Sequence, residues 1–182
     1  MCSSDLSIRA ICTKDVYHFG KGSGQDTVQD QSRYPETFIS GLVGYSWGSD
    51  DTLMFDGDIK LSDVAFARLG GTLDLKITIA STGDTMIVHN QFDGVKLDLF
   101  NLLGIAWFDR IEKFQFSDGT VLNWDAIVKM VTTGTAGNDA LYGIILPDTL
   151  DGGTGNDHIT GGDGNDRISG GDGNDSINGG RG

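Results

Sequence analysis

Residues 152–178 repeat one nine-residue phrase three times without a gap: GGTGNDHIT, GGDGNDRIS and GGDGNDSIN. The register extends backwards with decay. Residues 134–142, GTAGNDALY, keep two glycines, the aspartate and the aliphatic, and residues 143–151, GIILPDTLD, keep one glycine, Asp148 and Leu150. The sixth position is therefore Asp139, Asp148, Asp157, Asp166 and Asp175, and the eighth is Leu141, Leu150, Ile159, Ile168 and Ile177. A further unit opens at Gly179. A short fixed period forces every unit into one local conformation, so the units must stack on each other to bury anything. The competing reading is a disordered Gly-Asp linker, but such a linker has no reason to keep an aliphatic at every eighth position.

Three residue types carry the chemistry of the phrase. Gly152, Gly153 and Gly155, then Gly161, Gly162 and Gly164, then Gly170, Gly171 and Gly173 allow positive φ and close backbone approach, so carbonyls can turn inward. Asn156, Asn165 and Asn174 precede the aspartates, and asparagine tolerates left-handed geometry better than most residues. A glycine-rich turn ending in aspartate offers carboxylate and main-chain oxygen together, the donors that a hard cation such as Ca2+ takes in sixes to eights. The remaining three residues hold one aliphatic between polar neighbours, which fits a very short strand with one buried face. Five small buried side chains cannot order so glycine-rich a segment, and its eight Asp face only Arg167 and Arg181. The segment is expected to be disordered without calcium and folded with it.

Composition changes abruptly near residue 133. Of sixteen Phe, Trp and Tyr, only Tyr142 lies beyond it, so the aromatic core material belongs to the first part of the chain. The formal net charge is −13, and the acids are 24 Asp against Glu36 and Glu112 alone. Nucleic acid is excluded as a partner on these grounds, because binding phosphate needs a basic patch. No apolar run reaches the roughly 18 residues of a membrane span. With Cys2 set aside, Cys12 stands alone, so no disulfide framework is implied. Residues 1–6 resemble a translated sequencing adaptor, no signal-peptide pattern opens the chain, and the whole reads as a fragment of a larger exoprotein.

Residues 51–133 read as β-structure. A strand at 52–55 runs into a turn at Asp56 and Gly57, and Leu73, Leu75, Ile77 and Ile79 alternate with polar residues at the period of a half-buried strand. Gly70 and Gly71 on one side, and Thr82, Gly83 and Asp84 on the other, break the chain as turns. A further strand is expected over 86–92. Phe108, Ile111, Phe114 and Phe116 mark another apolar stretch, ended by Ser117, Asp118 and Gly119. Asn123 caps a short helix through residue 131 that turns Trp124, Ile127 and Val128 inward.

The nonapeptide phrase resembles the calcium-binding repeat of the RTX, or haemolysin-type, family of secreted bacterial proteins. The phrase order DTLMFDGDI, VAFARLGGTLDLKITIASTGDTMIVHNQF and DRIEKFQFSDGTVLNWDAI resembles the haemolysin-type calcium-binding related domain, with an apolar insert at 95–106 as its departure. The resemblance implies an all-β fold: a C-terminal parallel β-roll preceded by a β-rich spacer domain with one short helix. In such a roll two units make one coil, and a metal sits between loops eighteen residues apart. Carried over, one edge pairs Asp139 with Asp157 and Asp157 with Asp175, and the other pairs Asp148 with Asp166. The intact loops favour Asp157 with Asp175; the loop at 143–147 has lost two glycines, which weakens Asp148 with Asp166.

The expected organisation is an artefactual or unstructured start at 1–14, a degenerate RTX unit and connector at 15–50, the related domain at 51–133 and the truncated roll at 134–182. In the degenerate unit, Gly22, Gly24, Asp26 and Val28 fall on the second, fourth, sixth and eighth positions, and Asp26 has no matched loop. The spacer is expected to cap the roll and seed its folding. The resemblance further implies export through a type I channel, an extracellular location, and neighbouring RTX repeats as partners, with membrane or glycan contact as an open alternative. The parent is read as a calcium-folded secreted protein, a secreted protease, lipase or polysaccharide epimerase with its catalytic domain elsewhere, or an adhesin or toxin. No enzyme is expected in this stretch. Gly44, Ser46 and Gly48 fit the G-x-S-x-G hydrolase elbow, but the elbow needs a strand before it and a helix after it, whereas Asp50 and Asp51 lead into a strand. His18, His89 and His158 have no metal-ligand spacing, and His158 is expected to face solvent.

Overall fold

The computed structural model describes residues 7–11, 16–31, 51–70, 72–92, 110–144 and 147–182. Cys2, Cys12, Gly44, Ser46, Gly48, Gly71, Phe108 and the insert at 95–106 lie outside them. The described residues form strands with one α-helix and a 3-10 turn at Leu61–Asp63. The strands are β1 (Ser7–Ile11), β2 (Val16–Phe19), β3 (Gln25–Gln31), β4 (Thr52–Phe55), β5 (Val64–Arg68), β6 (Leu75–Ile79), β7 (Thr85–Val88), β8 (Lys113–Gln115) and β9 (Val121–Asn123). After helix α1 (Trp124–Thr132) come β10 (Ala140–Tyr142), β11 (Thr149–Asp151), β12 (His158–Thr160), β13 (Arg167–Ser169) and β14 (Ser176–Asn178).

Successive strands alternate between two sheets from β1 to β5 and again from β10 to β14. In the first part the sheets run β1-β3-β7-β6-β5 and β2-β4-β8-β9, with β1, β3 and β7 parallel and β2, β4 and β8 parallel. In the second part they run β10-β12-β14 and β11-β13, all parallel. The spacer is thus itself a coil of alternating parallel strands. Its turns are unequal, since Ser7 faces Thr27 whereas Thr52 faces Lys113. The antiparallel pair β5 and β6 is spliced in before β7.

Apolar alternation decides which faces meet. Leu75, Ile77 and Ile79 are fully buried while Lys76 and Thr78 between them are not, the period-two pattern of one inward face. Within one sheet Phe55 stacks on its neighbour Phe116 with ring centroids 4.4 Å apart, and across the sheets Phe66 meets Phe114 edge-on at 5.9 Å. The core is aromatic as the composition predicts. Gln91 is fully buried because its amide replaces a missing strand partner: Nε2 donates to the Ile111 carbonyl at 2.8 Å, and Oε1 accepts the Ile111 N–H at 2.9 Å.

Two local expectations change. Residues 7–11, placed above in an unstructured start, form β1, which supplies backbone partners to the otherwise open edge of β3. The strand expected over 86–92 ends at Val88, and Asn90, at φ 57°, turns the chain instead. The helix expectation holds. Asn123 Oδ1 accepts the Ala126 N–H at 3.0 Å, and Ile127 and Val131 are buried beneath α1.

Helix α1 touches β5 and β9 of the spacer and β10 and β11 of the roll. Arg68 on β5 donates Nη1 to the Tyr142 carbonyl at 3.1 Å, and the α-carbon of Gly70 lies so close to the Tyr142 ring that a methyl group there would overlap it. These contacts fix the first coil of the roll on the spacer.

Candidate metal centre

The glycines at the second and fourth positions of each intact unit take the positive φ the phrase predicts: Gly153 at 90° and Gly155 at 126°, Gly162 at 101° and Gly164 at 133°, Gly171 at 87° and Gly173 at 139°. A Cβ on Gly153 would come within 2.5 Å of the Thr135 carbonyl oxygen, and one on Gly162 within 2.5 Å of that of Ile144. The turns therefore stack backbone on backbone, with no room for a side chain between coils. Strand register matches at eighteen residues. Leu141 faces Ile159, Ile159 faces Ile177, and Leu150 faces Ile168.

The aspartates stack in the same register. The Asp139 N–H donates to Asp157 Oδ1 at 2.9 Å, Asp148 to Asp166 Oδ1 at 3.0 Å, and Asp157 to Asp175 Oδ1 at 3.0 Å. All three pairings expected from the sequence are brought together, on the expected edges. The other carboxylate oxygen, Oδ2, behaves differently from loop to loop. Asp139 Oδ2 accepts the Thr135 N–H at 2.7 Å and the Thr135 hydroxyl at 3.0 Å, and Asp148 Oδ2 accepts the Ile144 N–H at 2.5 Å. Asp157 Oδ2 and Asp166 Oδ2 are buried with no hydrogen-bond partner, and Asp157 as a whole is 2% exposed.

Carbonyl oxygens converge on the same points. A methyl group on Gly152 would collide with both Asp157 Oδ2 and the Gly170 carbonyl oxygen, and a Cβ on Gly161 would sit 2.5 Å from both Asp166 Oδ2 and the Gly179 carbonyl oxygen. A partnerless carboxylate oxygen buried beside a carbonyl oxygen is unfavourable unless a cation joins them. The donor set is all oxygen, which fits calcium. Among the described residues no three His, Cys, Asp or Glu side chains cluster, so the paired aspartates and main-chain carbonyls are the available ligands. At Asp148 burial pushes the carboxyl upward; the Ile144 N–H opposes this, the nearby Asp166 adds to it, and the Arg68 charge opposes it.

The asparagines have a role that the sequence reading missed. Asn90 alone among the described non-glycine residues has positive φ, so Asn156 and Asn174 are not left-handed. They form a second ladder. Asn138 Oδ1 accepts the Asn156 N–H, and Asn156 Oδ1 accepts the Asn174 N–H, both at 2.8 Å. Sequence reasoning also passed over Asp84 and Glu112, each directly ahead of a strand. Asp84 accepts the Gly22 N–H at 2.7 Å and the Gly24 N–H at 2.9 Å; the Thr82 hydroxyl first, then these amides, hold its carboxyl below the usual range. Asp26 instead lies within β3, opposite Met86. Glu112 Oε2 accepts the Asp51 N–H at 2.8 Å, and burial raises its carboxyl to about 7. The recoverable signal was an acid immediately before a strand, the same placement as the sixth position of the repeat.

Comparison with known proteins agrees with this architecture. Residues 74–126 match the haemolysin-type calcium binding protein related domain, and residues 151–182 match the family of the RTX calcium-binding nonapeptide repeat, whose model spans four copies. Over 141 residues, 78% of this chain, the sequence is 34% identical to iron-regulated protein FrpA of Neisseria meningitidis serogroup C. The chain spans 11% of that relative's length. It carries RTX nonapeptide repeats, which bind Ca2+, behind a haemolysin-type calcium-binding related domain.

Proposed function

We propose that this chain is a calcium-dependent folding module of a longer secreted protein, in which Asp157, Asp166 and Asp175, with the carbonyls of the stacked glycine turns, hold the ions. The observation that carries this reading is the pair of buried, partnerless oxygens, Asp157 Oδ2 and Asp166 Oδ2, each beside a main-chain carbonyl. Bound calcium supplies positive charge to oxygen ligands at about 2.3–2.6 Å. The chain supplies the rest: positive-φ glycines aim carbonyls inward, and Leu141, Leu150 and Ile159 form the small apolar seam between the two sheets of the roll.

Without ions the repeats carry a dense negative charge on a backbone rich in glycine, the state that is costliest to order. Such a segment stays extended where calcium is scarce, which suits passage through an export channel. Extracellular calcium modules have Kd of about 10⁻⁴–10⁻³ M, so the roll would close once outside the cell. The spacer serves as the fixed end on which it closes, and the match to a small part of the much longer FrpA supports a longer parent.

Circular dichroism of the full chain during a calcium titration tests the reading. The expected result is a cooperative gain of β signal in the millimolar range with calcium, and a much smaller one with magnesium. A spectrum unchanged by calcium would defeat it.

A further inference from the structure

The second position of the five units reads Thr135, Ile144, Gly153, Gly162 and Gly171. Gly153, Gly162 and Gly171 adopt φ of 90°, 101° and 87°, whereas Thr135 and Ile144 are not among the positive-φ residues. The hydrogen bonds divide at the same boundary. Where the second residue bears a side chain, its own N–H donates into Oδ2 of the loop's aspartate, at 2.7 Å from Thr135 to Asp139 and at 2.5 Å from Ile144 to Asp148. In two of the three loops where it is glycine, the aspartate Oδ2 is instead buried and partnerless, at Asp157 and Asp166.

We propose that the second residue of each unit decides whether its loop is a metal site, so that Thr135 and Ile144 close the first coil without calcium while Gly153 and Gly162 leave the Asp157 and Asp166 carboxylates to the ion. This deepens the calcium reading and rests on it. The cause is steric. A Cβ disfavours positive φ, so the turn keeps the orientation in which its second N–H points at the carboxylate. Glycine releases that constraint, the peptide rotates, and the carboxylate oxygen loses its internal donor. A carboxylate oxygen that already holds a charge-assisted hydrogen bond, worth about twice a neutral one, is turned towards its donor and draws a metal less strongly.

Arg68 strengthens the division on one edge. Its side chain is partly buried, it donates to the Tyr142 carbonyl just ahead of the loop, and its charge acts on Asp148. Ile144 packs on the spacer core, which the glycine of an intact unit could not do. Strands β10 and β11 are therefore set in place by α1, Arg68 and Ile144 before any ion enters. The second coil then adds β12 and β13 to edges that already exist. Calcium-dependent folding would run outward from the spacer, and Asp139, expected from the sequence to be a ligand, is instead a structural acceptor.

The test counts calcium bound per full-length chain by equilibrium dialysis at saturation, with isothermal titration for affinity. Asp139→Ala should leave the count of the parent chain unchanged, and Asp157→Ala should lower it by one. Thr135→Gly, at an exposed turn residue, should raise the count by one, and adding Asp139→Ala to that variant should cancel the gain. A lower count in Asp139→Ala alone would overturn the rule, whether or not Thr135→Gly folds. So would an unchanged count in Thr135→Gly. A parent chain that takes up no calcium at all overturns the underlying calcium reading, an outcome distinct from either of these.

Discussion

The main-chain N–H of Asp157 donates to the carboxylate of Asp175 across eighteen residues of sequence and 3.0 Å of space. Asp157 in turn accepts from Asp139 with Oδ1, while its Oδ2 is turned into the turn without a partner. One carboxylate therefore has two separable duties, register and charge. Asp157→Asn keeps an Oδ1 acceptor for the Asp139 N–H and removes the charge. It should raise the calcium midpoint of the β transition by about tenfold or more, as expected when at least 1.4 kcal/mol of binding is lost. An unchanged midpoint in a circular dichroism titration would show that the charge of Asp157 does not serve the ion.

The asparagine ladder predicts a different signature. Asn156→Ala removes the acceptor of the Asn174 N–H but leaves every carboxylate in place. Stability of the calcium-saturated roll should fall by about 0.5–1.5 kcal/mol, the net worth of one hydrogen bond. Urea unfolding checks the loss, and the count of bound calcium should not change.

Burial grades the cost of truncating the aliphatic seam. Ile159 is fully buried, whereas Ile177 in the same register is 50% exposed. Ile159→Ala should destabilise the calcium-loaded roll by about 2–5 kcal/mol. Ile177→Ala should stay within about 1 kcal/mol, because its side chain is half in water already. Equal losses for the two would contradict the described packing.

Glu112 gives the spacer a pH dependence of known sign. Its carboxyl, half-buried beside Asp51, is raised from its ordinary 4.5 to about 7. Between those values the folded chain holds a proton that the unfolded chain has released, so stability falls as pH rises through that window. Glu112→Gln keeps an acceptor for the Asp51 N–H and removes the titration. Melting temperatures of parent and variant should converge near pH 4.5 and separate by pH 7, with the variant higher. A constant difference across the range would assign the effect to packing instead.

What could be read from the residues alone follows from period. A nine-residue repeat with aspartate and an aliphatic at fixed places marked out the units, and their resemblance to RTX repeats implied the parallel register of β10 to β14 and the pairing of Asp139, Asp157 and Asp175. Strict alternation located β6, and Asn123 located the start of α1. The spacer's own coil was not legible, because its parallel partners stand far apart in sequence at irregular intervals, as with Thr52 and Lys113. Nor was the division between loops. It depends on where an N–H points, which a side chain at Thr135 or Ile144 settles only once the backbone is known. The left-handed role given to asparagine failed for a related reason: a neighbouring coil, absent from local reasoning, takes up its Oδ1.

The most direct measurement is a crystal structure of the full chain grown in calcium, with anomalous scattering to place the ions. The account predicts an ion about 2.3–2.6 Å from Asp157 Oδ2, shared with the Gly170 carbonyl, and a second at Asp166 Oδ2 shared with that of Gly179. Turns free of metal at saturating calcium, or Asp157 Oδ2 rotated out to solvent, would contradict it.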